Sequence, residues 1–151
     1  MKLHLFDAKV INMCKKMSLP VARFALFVVF FWFGILKVVG LSPASSLVEQ
    51  LFNNTITFMQ FGTFLILFGV FECIIGILFL IPKAVRVVIP LLVIHMVTTF
   101  GPLFLLPEVT WSGFLVPTME GQYIIKNLLI IAIAIGIVSH IETLGEKSLP
   151  K

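Results

Sequence analysis

The sequence predicts an all-α fold: a polytopic membrane protein in which a four-transmembrane-helix bundle follows an N-terminal interfacial amphipathic helix. Three observations predict it. Of the 151 residues, 60% are hydrophobic and only 12% are charged. The mean hydropathy is +1.14, far outside the range of a soluble domain. The apolar residues gather into four runs, each close to the roughly 20 residues that one helical crossing takes. Short connections join these runs, so the chain reads as one compact unit with no separate soluble domain.

Residues 1–19 read as a cytoplasmic amphipathic segment. Leu3, Phe6, Val10, Met13, Cys14 and Met17 recur at steps of three and four, with Lys2, Lys9, Asn12, Lys15 and Lys16 elsewhere around the wheel. That pattern suits a basic helix on a membrane surface. The transmembrane domain follows over 20–141, with spans at about 20–41, 60–81, 84–106 and 122–140, and a cytoplasmic tail over 142–151. Pro20 opens the first span at a favourable helix start, and Ser42-Pro43 reads as the start of a short interfacial helix. Pro82-Lys83 stops the second span at a tight turn, so the second and third spans form an antiparallel hairpin. The connection after Pro107 carries Trp111, Phe114, Leu115, Val116 and Pro117 and is too apolar for a freely solvated loop. A secretory leader is not expected, because the apolar run before Ser42-Pro43-Ala44 is too long for one.

Charge sets the expected orientation. Lys2, Lys9, Lys15, Lys16 and Arg23, the turn residues Lys83 and Arg86, and the tail residues Lys147 and Lys151 lie on one side, while Glu49, Glu108 and Glu120 lie in the opposite loops. The rule that basic residues stay inside predicts two cytoplasmic termini and a multi-pass protein of the cell inner (plasma) membrane. The formal net charge of +4 is concentrated near the N-terminus and one turn, a pattern that suits anionic lipid headgroups and not nucleic acid. Two cysteines at different depths argue against a disulfide framework. No ligand spacing for a metal, no phosphate loop and no nucleophile with a base is found, so no catalytic residue is assigned and a stand-alone enzyme is not expected.

The informative residues are the costly ones. An ionisable group near mid-bilayer costs at least about 2.5–3.5 kcal/mol on insertion scales, so it faces the bundle interior and finds a partner. The candidates are Lys37, Glu72, His95 and Lys126, with Asn127 beside the last. Gly69, Glu72 and Gly76 share one helix face, and Gly34 stands three residues before Lys37; these glycines are the expected helix-packing positions. At about 1.5 Å per residue in a core about 30 Å thick, Glu72 and His95 differ in depth by only about 4 Å, which allows a hydrogen bond between neighbouring helices. Lys37 and Lys126 lie shallower. They either snorkel to the outer headgroups or form a cationic rim over an apolar ligand site.

Arg23, FFWFGILK ending at Lys37, GVFECIIGILFLIP around Glu72 and GQYIIKNLLIIAIAIG from Gly121 together resemble the DoxX-like family of small bacterial four-helix membrane proteins, and within it the YkgB-like branch. The likeness runs from Arg23 to Gly136. It implies an inner-membrane bundle tied to respiratory or redox-stress processes, matching here at Gly34, Lys37, Glu72, Gly76 and Lys126-Asn127. The expected function is an accessory or ligand-binding component of a membrane redox or stress process, with a quinone or lipid as the ligand. A membrane oxidoreductase or a second copy of the chain is the expected partner within the lipid bilayer. A small proton-coupled transporter using Glu72 and His95, and a scaffold or partner-binding subunit, stay open beside it.

Overall fold

The computed structural model describes residues 2–56 and 58–141, with side chains from Phe6 onward. The expected tail over 142–151, with Lys147 and Lys151, lies outside the described residues. The chain is mostly helical, and four helical stretches are long and apolar enough to cross a membrane: Phe6–Val38, Phe61–Leu80, Pro82–Leu105 and Met119–Val138.

Helix α1 (Lys2–Val38) contains Pro20 in its interior. The helix runs unbroken across the boundary expected between a surface helix and a first span at residues 19 and 20. No residue from 2 to 38 leaves the helical conformation, whereas a separate surface helix needs a non-helical joint. Proline costs one backbone hydrogen bond there without ending the helix. At about 1.5 Å per residue α1 is about 55 Å long, nearly twice the thickness of a bilayer core. Leu19 is the first α1 residue packed against the core, and from it to Val38 is about 29 Å, one core thickness. Residues Phe6–Ser18 extend past the bundle almost wholly exposed. Gly40 ends α1 in the left-handed region at φ 74°. Its N–H donates to the carbonyl of Lys37 and that of Leu41 to the carbonyl of Leu36, the paired bonds of a glycine-closed helix end.

Helix α2 (Ser45–Thr55) begins after Ala44 and not at Pro43; the Ser42 hydroxyl accepts instead from the Ala44 N–H. Phe52 is buried and tilted against Phe61 and Phe64, which fastens α2 to the start of α3 (Phe61–Leu80). A 3-10 turn over Pro82–Ala84 reverses the chain into α4 (Val85–Phe100), followed by the short α5 (Pro102–Leu105) and α6 (Pro107–Thr110). The apolar connection then forms a two-stranded antiparallel hairpin, β1 (Trp111–Gly113) and β2 (Val116–Pro117). Trp111 Nε1 donates to the Leu103 carbonyl and Thr118 Oγ1 to that of Val109, so the hairpin is tied back onto α5 and α6. The last crossing is divided into α7 (Met119–Ile125) and α8 (Asn127–Val138).

Helices α1 and α3 are antiparallel and closely packed. A Cβ on Gly34 would stand 2.5 Å from the Gly69 carbonyl oxygen, and one on Gly69 would stand 2.6 Å from that of Gly34. Only glycine on both helices permits this approach. Gly76 meets the backbone of Phe27 and Phe31 in the same way. The core below is built from Leu26 and Phe30 of α1, Ile75 and Phe79 of α3, Val85, Val88, Leu92 and Met96 of α4, and Ala134 and Ile137 of α8. The Arg23 guanidinium donates to the carbonyl of Phe79, 3.3 Å away, and so closes the end of α3.

Candidate functional site

The glycine contact between α1 and α3 fixes what happens one helical turn away. Because α1 and α3 are antiparallel, Lys37 lies opposite Gly69, where a Cβ would stand 2.9 Å from that of Lys37; side chains on each helix lean toward that helix's N-terminus, so Lys37 and Glu72 lean toward each other across the close contact. Lys37 Nζ donates to Glu72 Oε2 at 2.6 Å. The other carboxylate oxygen, Oε1, stands 2.9 Å from Nε2 of His95 on α4. All three residues are buried, at 6%, 5% and 5% exposure. At these depths the ammonium is not snorkelling; it is held inside the bundle.

The surroundings of the three groups are aromatic. The Phe68 ring stacks on His95 at 5.3 Å and 5°, and its centroid is 5.5 Å from Lys37 Nζ. Phe30 meets His95 edge-on at 5.1 Å and Phe71 lies at 6.3 Å. One ring, Phe68, thus offers its π-face to two groups that carry or accept positive charge. An ion pair in so apolar a setting is held by its hydrogen bonds, because the low dielectric makes any unpaired member costly.

His95 is also bound on its far side. Thr99 Oγ1 lies 3.2 Å from His95 Nδ1 and 2.9 Å from the His95 carbonyl oxygen. The carbonyl also accepts from Thr98 Oγ1 at 2.7 Å. With Glu72 as the acceptor, Nε2 carries a proton. When Nδ1 is bare, the Thr99 hydroxyl turns its proton toward it. When Nδ1 is protonated, it donates to Thr99 Oγ1, and the hydroxyl proton goes to the carbonyl. Both states leave every polar atom of the chain Lys37–Glu72–His95–Thr99 bonded.

The other residues singled out by sequence lie elsewhere. Lys126 is exposed, with its ammonium 5.0 Å from the Tyr123 ring, so it forms no rim with Lys37. Asn127 is half-buried and its side-chain amide donates to the carbonyls of Tyr123 and Ile124, which accompanies the division of the last crossing at Lys126. Thr99, Phe30, Phe68 and Phe71 were not singled out. Their signal was spacing: Thr99 follows His95 by four residues and Phe68 precedes Glu72 by four, one helical turn in each case.

Cys73 Sγ faces the Phe31 carbonyl at 3.6 Å and Cys14 is exposed; neither belongs to the cluster. Among the described residues no group of three His, Cys, Asp or Glu is arranged to hold a metal ion. A separate groove of about 490 Å³ runs between α4 and α8, and none of the cluster's side chains lines it. No family model matches the chain, and no curated protein or solved structure matches it.

Proposed function

We propose that this chain is a multi-pass protein of the inner (plasma) membrane, both termini cytoplasmic, that works as a small proton-coupled carrier with Lys37, Glu72 and His95 as its proton-binding centre. The observation that carries this reading is the position of the Thr99 hydroxyl, within reach of both His95 Nδ1 and the His95 carbonyl. A proton can therefore arrive at or leave Nδ1 without stranding a polar atom.

The three ionisable groups hang on three helices. With Lys37 charged, Glu72 ionised and His95 neutral the cluster has no net charge; a proton on His95 makes it singly positive. That change alters the energy holding α1, α3 and α4 together, and such a difference is what a ligand-driven shift between conformations requires. Intramembrane histidine and carboxylate chains are the usual parts of proton relays. The orientation rests on Lys9, Lys15, Lys16, Arg23, Lys83 and Arg86 against Glu49, Glu108 and Glu120.

A second reading is favoured by the motif likeness to DoxX-like proteins: an accessory subunit of a membrane oxidoreductase, binding a quinone-like molecule or lipid. One experiment separates the two. In liposomes enclosing a pH dye, an imposed gradient should collapse faster with the protein than without it, and Glu72→Gln should restore the protein-free rate. Identical traces with and without protein contradict the carrier, and co-purification of an oxidoreductase or a quinone then supports the accessory subunit.

A further inference from the structure

Along α1, Phe6, Val10, Met13, Met17, Val21 and Phe24 follow one another at steps of three and four, which on a helix draws a single line along one face. Each of them is at least 37% exposed. The line lies on the side of α1 opposite Leu19, Leu26 and Phe30, which pack into the core of the bundle. From Leu19 back to Phe6 is about 20 Å, whereas the headgroup layer on each side of a bilayer is only about 5–8 Å deep. Lipid therefore covers Val21 and Phe24 but does not reach Phe6 or Val10, and the unbroken helix does not fold this extension down onto the membrane surface.

The charges beside this line are sorted by flank. Lys9 and Lys16 each precede a residue of the line by one position, whereas Asp7 and Cys14 each follow one. At about 100° per residue, the two lysines stand on one flank and Asp7 on the other. Copies of the chain inserted in the same direction stand parallel, and a twofold axis along the membrane normal sets each flank against the opposite flank of the other copy. The lysine flank then meets the Asp7 flank and not itself. We infer that this face of α1 is the interface with a second copy of the chain, a parallel helix pair that begins outside the bilayer and continues into it. The spacing suits such a pair: Phe6 and Met17, Val10 and Val21, and Met13 and Phe24 are each 11 residues apart. That repeat keeps about 3.67 residues per turn, close to a straight helix, so two copies can lie side by side from Phe6 to Phe24, about 27 Å. Lys37 is on the bundle side of α1, so the inference rests on the bilayer reading given above and not on the proton centre.

The test is oxidative cross-linking by copper phenanthroline in membranes that carry the full chain, with Cys14→Ser as the background. A disulfide needs Cα atoms within about 7 Å, and a helix is about 10–12 Å across, so only positions on the line can bridge the pair. Val10→Cys and Met17→Cys should each give a product of two-chain mass. Lys15→Cys, on the opposite side of the helix, should give none above the background chain. Adding Met13→Glu to Val10→Cys sets two carboxylates against each other in an apolar seam and should lower that product about tenfold or more. Equal yields at all three positions signify chance collision and overturn the interface, as does the absence of product at all of them or an unchanged yield with Met13→Glu. A product of another mass from Val10→Cys assigns the face to a different protein and also overturns it. A chain recovered outside the membrane fraction contradicts the bilayer reading as well, which separates the two failures.

Discussion

Glu72 is the residue on which the cluster turns, because it alone bonds to both of the other ionisable groups. Removing one partner of a buried pair strands the other and costs about 3–5 kcal/mol, whereas replacing both with apolar groups of similar shape can be nearly neutral. Glu72→Gln and Lys37→Met should each destabilise the bundle on that scale, and the double variant should be less harmful than their sum by about 0.5–3 kcal/mol. Unfolding titrations in bicelles measure this directly, and strict additivity would show that the pair does not act as one. Thr99→Val should abolish dye-reported proton movement while leaving the fold, because valine can neither donate to nor accept from His95 Nδ1. Thr99→Ser should retain it. Much of this site was legible in the sequence. The depth count put Glu72 and His95 within bonding range, and the bond is found at 2.9 Å. The direction of Lys37 was not legible. A lysine one turn from a helix end can point either way along the axis, and only the Gly34–Gly69 contact on another helix decides that it turns inward.

At the scale of helices, the α1–α3 seam carries the arrangement. Gly34→Ala places a methyl group against the Gly69 carbonyl and the Cys73 backbone N, where a Cβ would stand at 2.5 and 2.9 Å. The helices must then separate, and overpacking of this kind costs about 1–3 kcal/mol. The same change at Gly136 in α8 meets nothing within 4 Å and should stabilise by about 0.5–1 kcal/mol through backbone entropy alone. Thermal unfolding in detergent compares the two variants; equal effects would mean that the seam is not tight. The four apolar stretches were readable from composition because a bilayer demands continuous apolar length. Their ends were less so. Pro20 signals a helix start locally, but the neighbouring residues continue the helix through it. The 111–117 hairpin lacks the alternation that marks a strand and exists because Trp111 and Thr118 are tied to carbonyls of α5 and α6. The division at Lys126 is accompanied by the Asn127 amide reaching back from α8 to carbonyls of α7, which spacing alone does not reveal.

Across the whole molecule, the helix directions put the end of α1, α2, the start of α3, the end of α4 and the 111–117 hairpin at one end, with the Pro82–Ala84 turn and the end of α8 at the other. The cluster lies toward the first of these ends, where Phe64 stacks on Phe68 and Phe52 packs against Phe61 and Phe64. Basic residues gather at the opposite end, so a cysteine at Ser46 or Ser112 should react with an impermeant thiol reagent in intact cells, and one at Lys83 only after the membrane is opened. External labelling at Lys83 would invert the topology. The central claim is that the buried cluster takes up and releases a proton at His95. It is tested most directly by ¹⁵N solid-state NMR of histidine-labelled protein in bilayers as pH is changed, with the exposed His140 as an internal reference. His95 should pass reversibly between singly and doubly protonated imidazole, and Glu72→Gln should shift that passage. A His95 signal fixed in one protonation state at every pH sampled would contradict it.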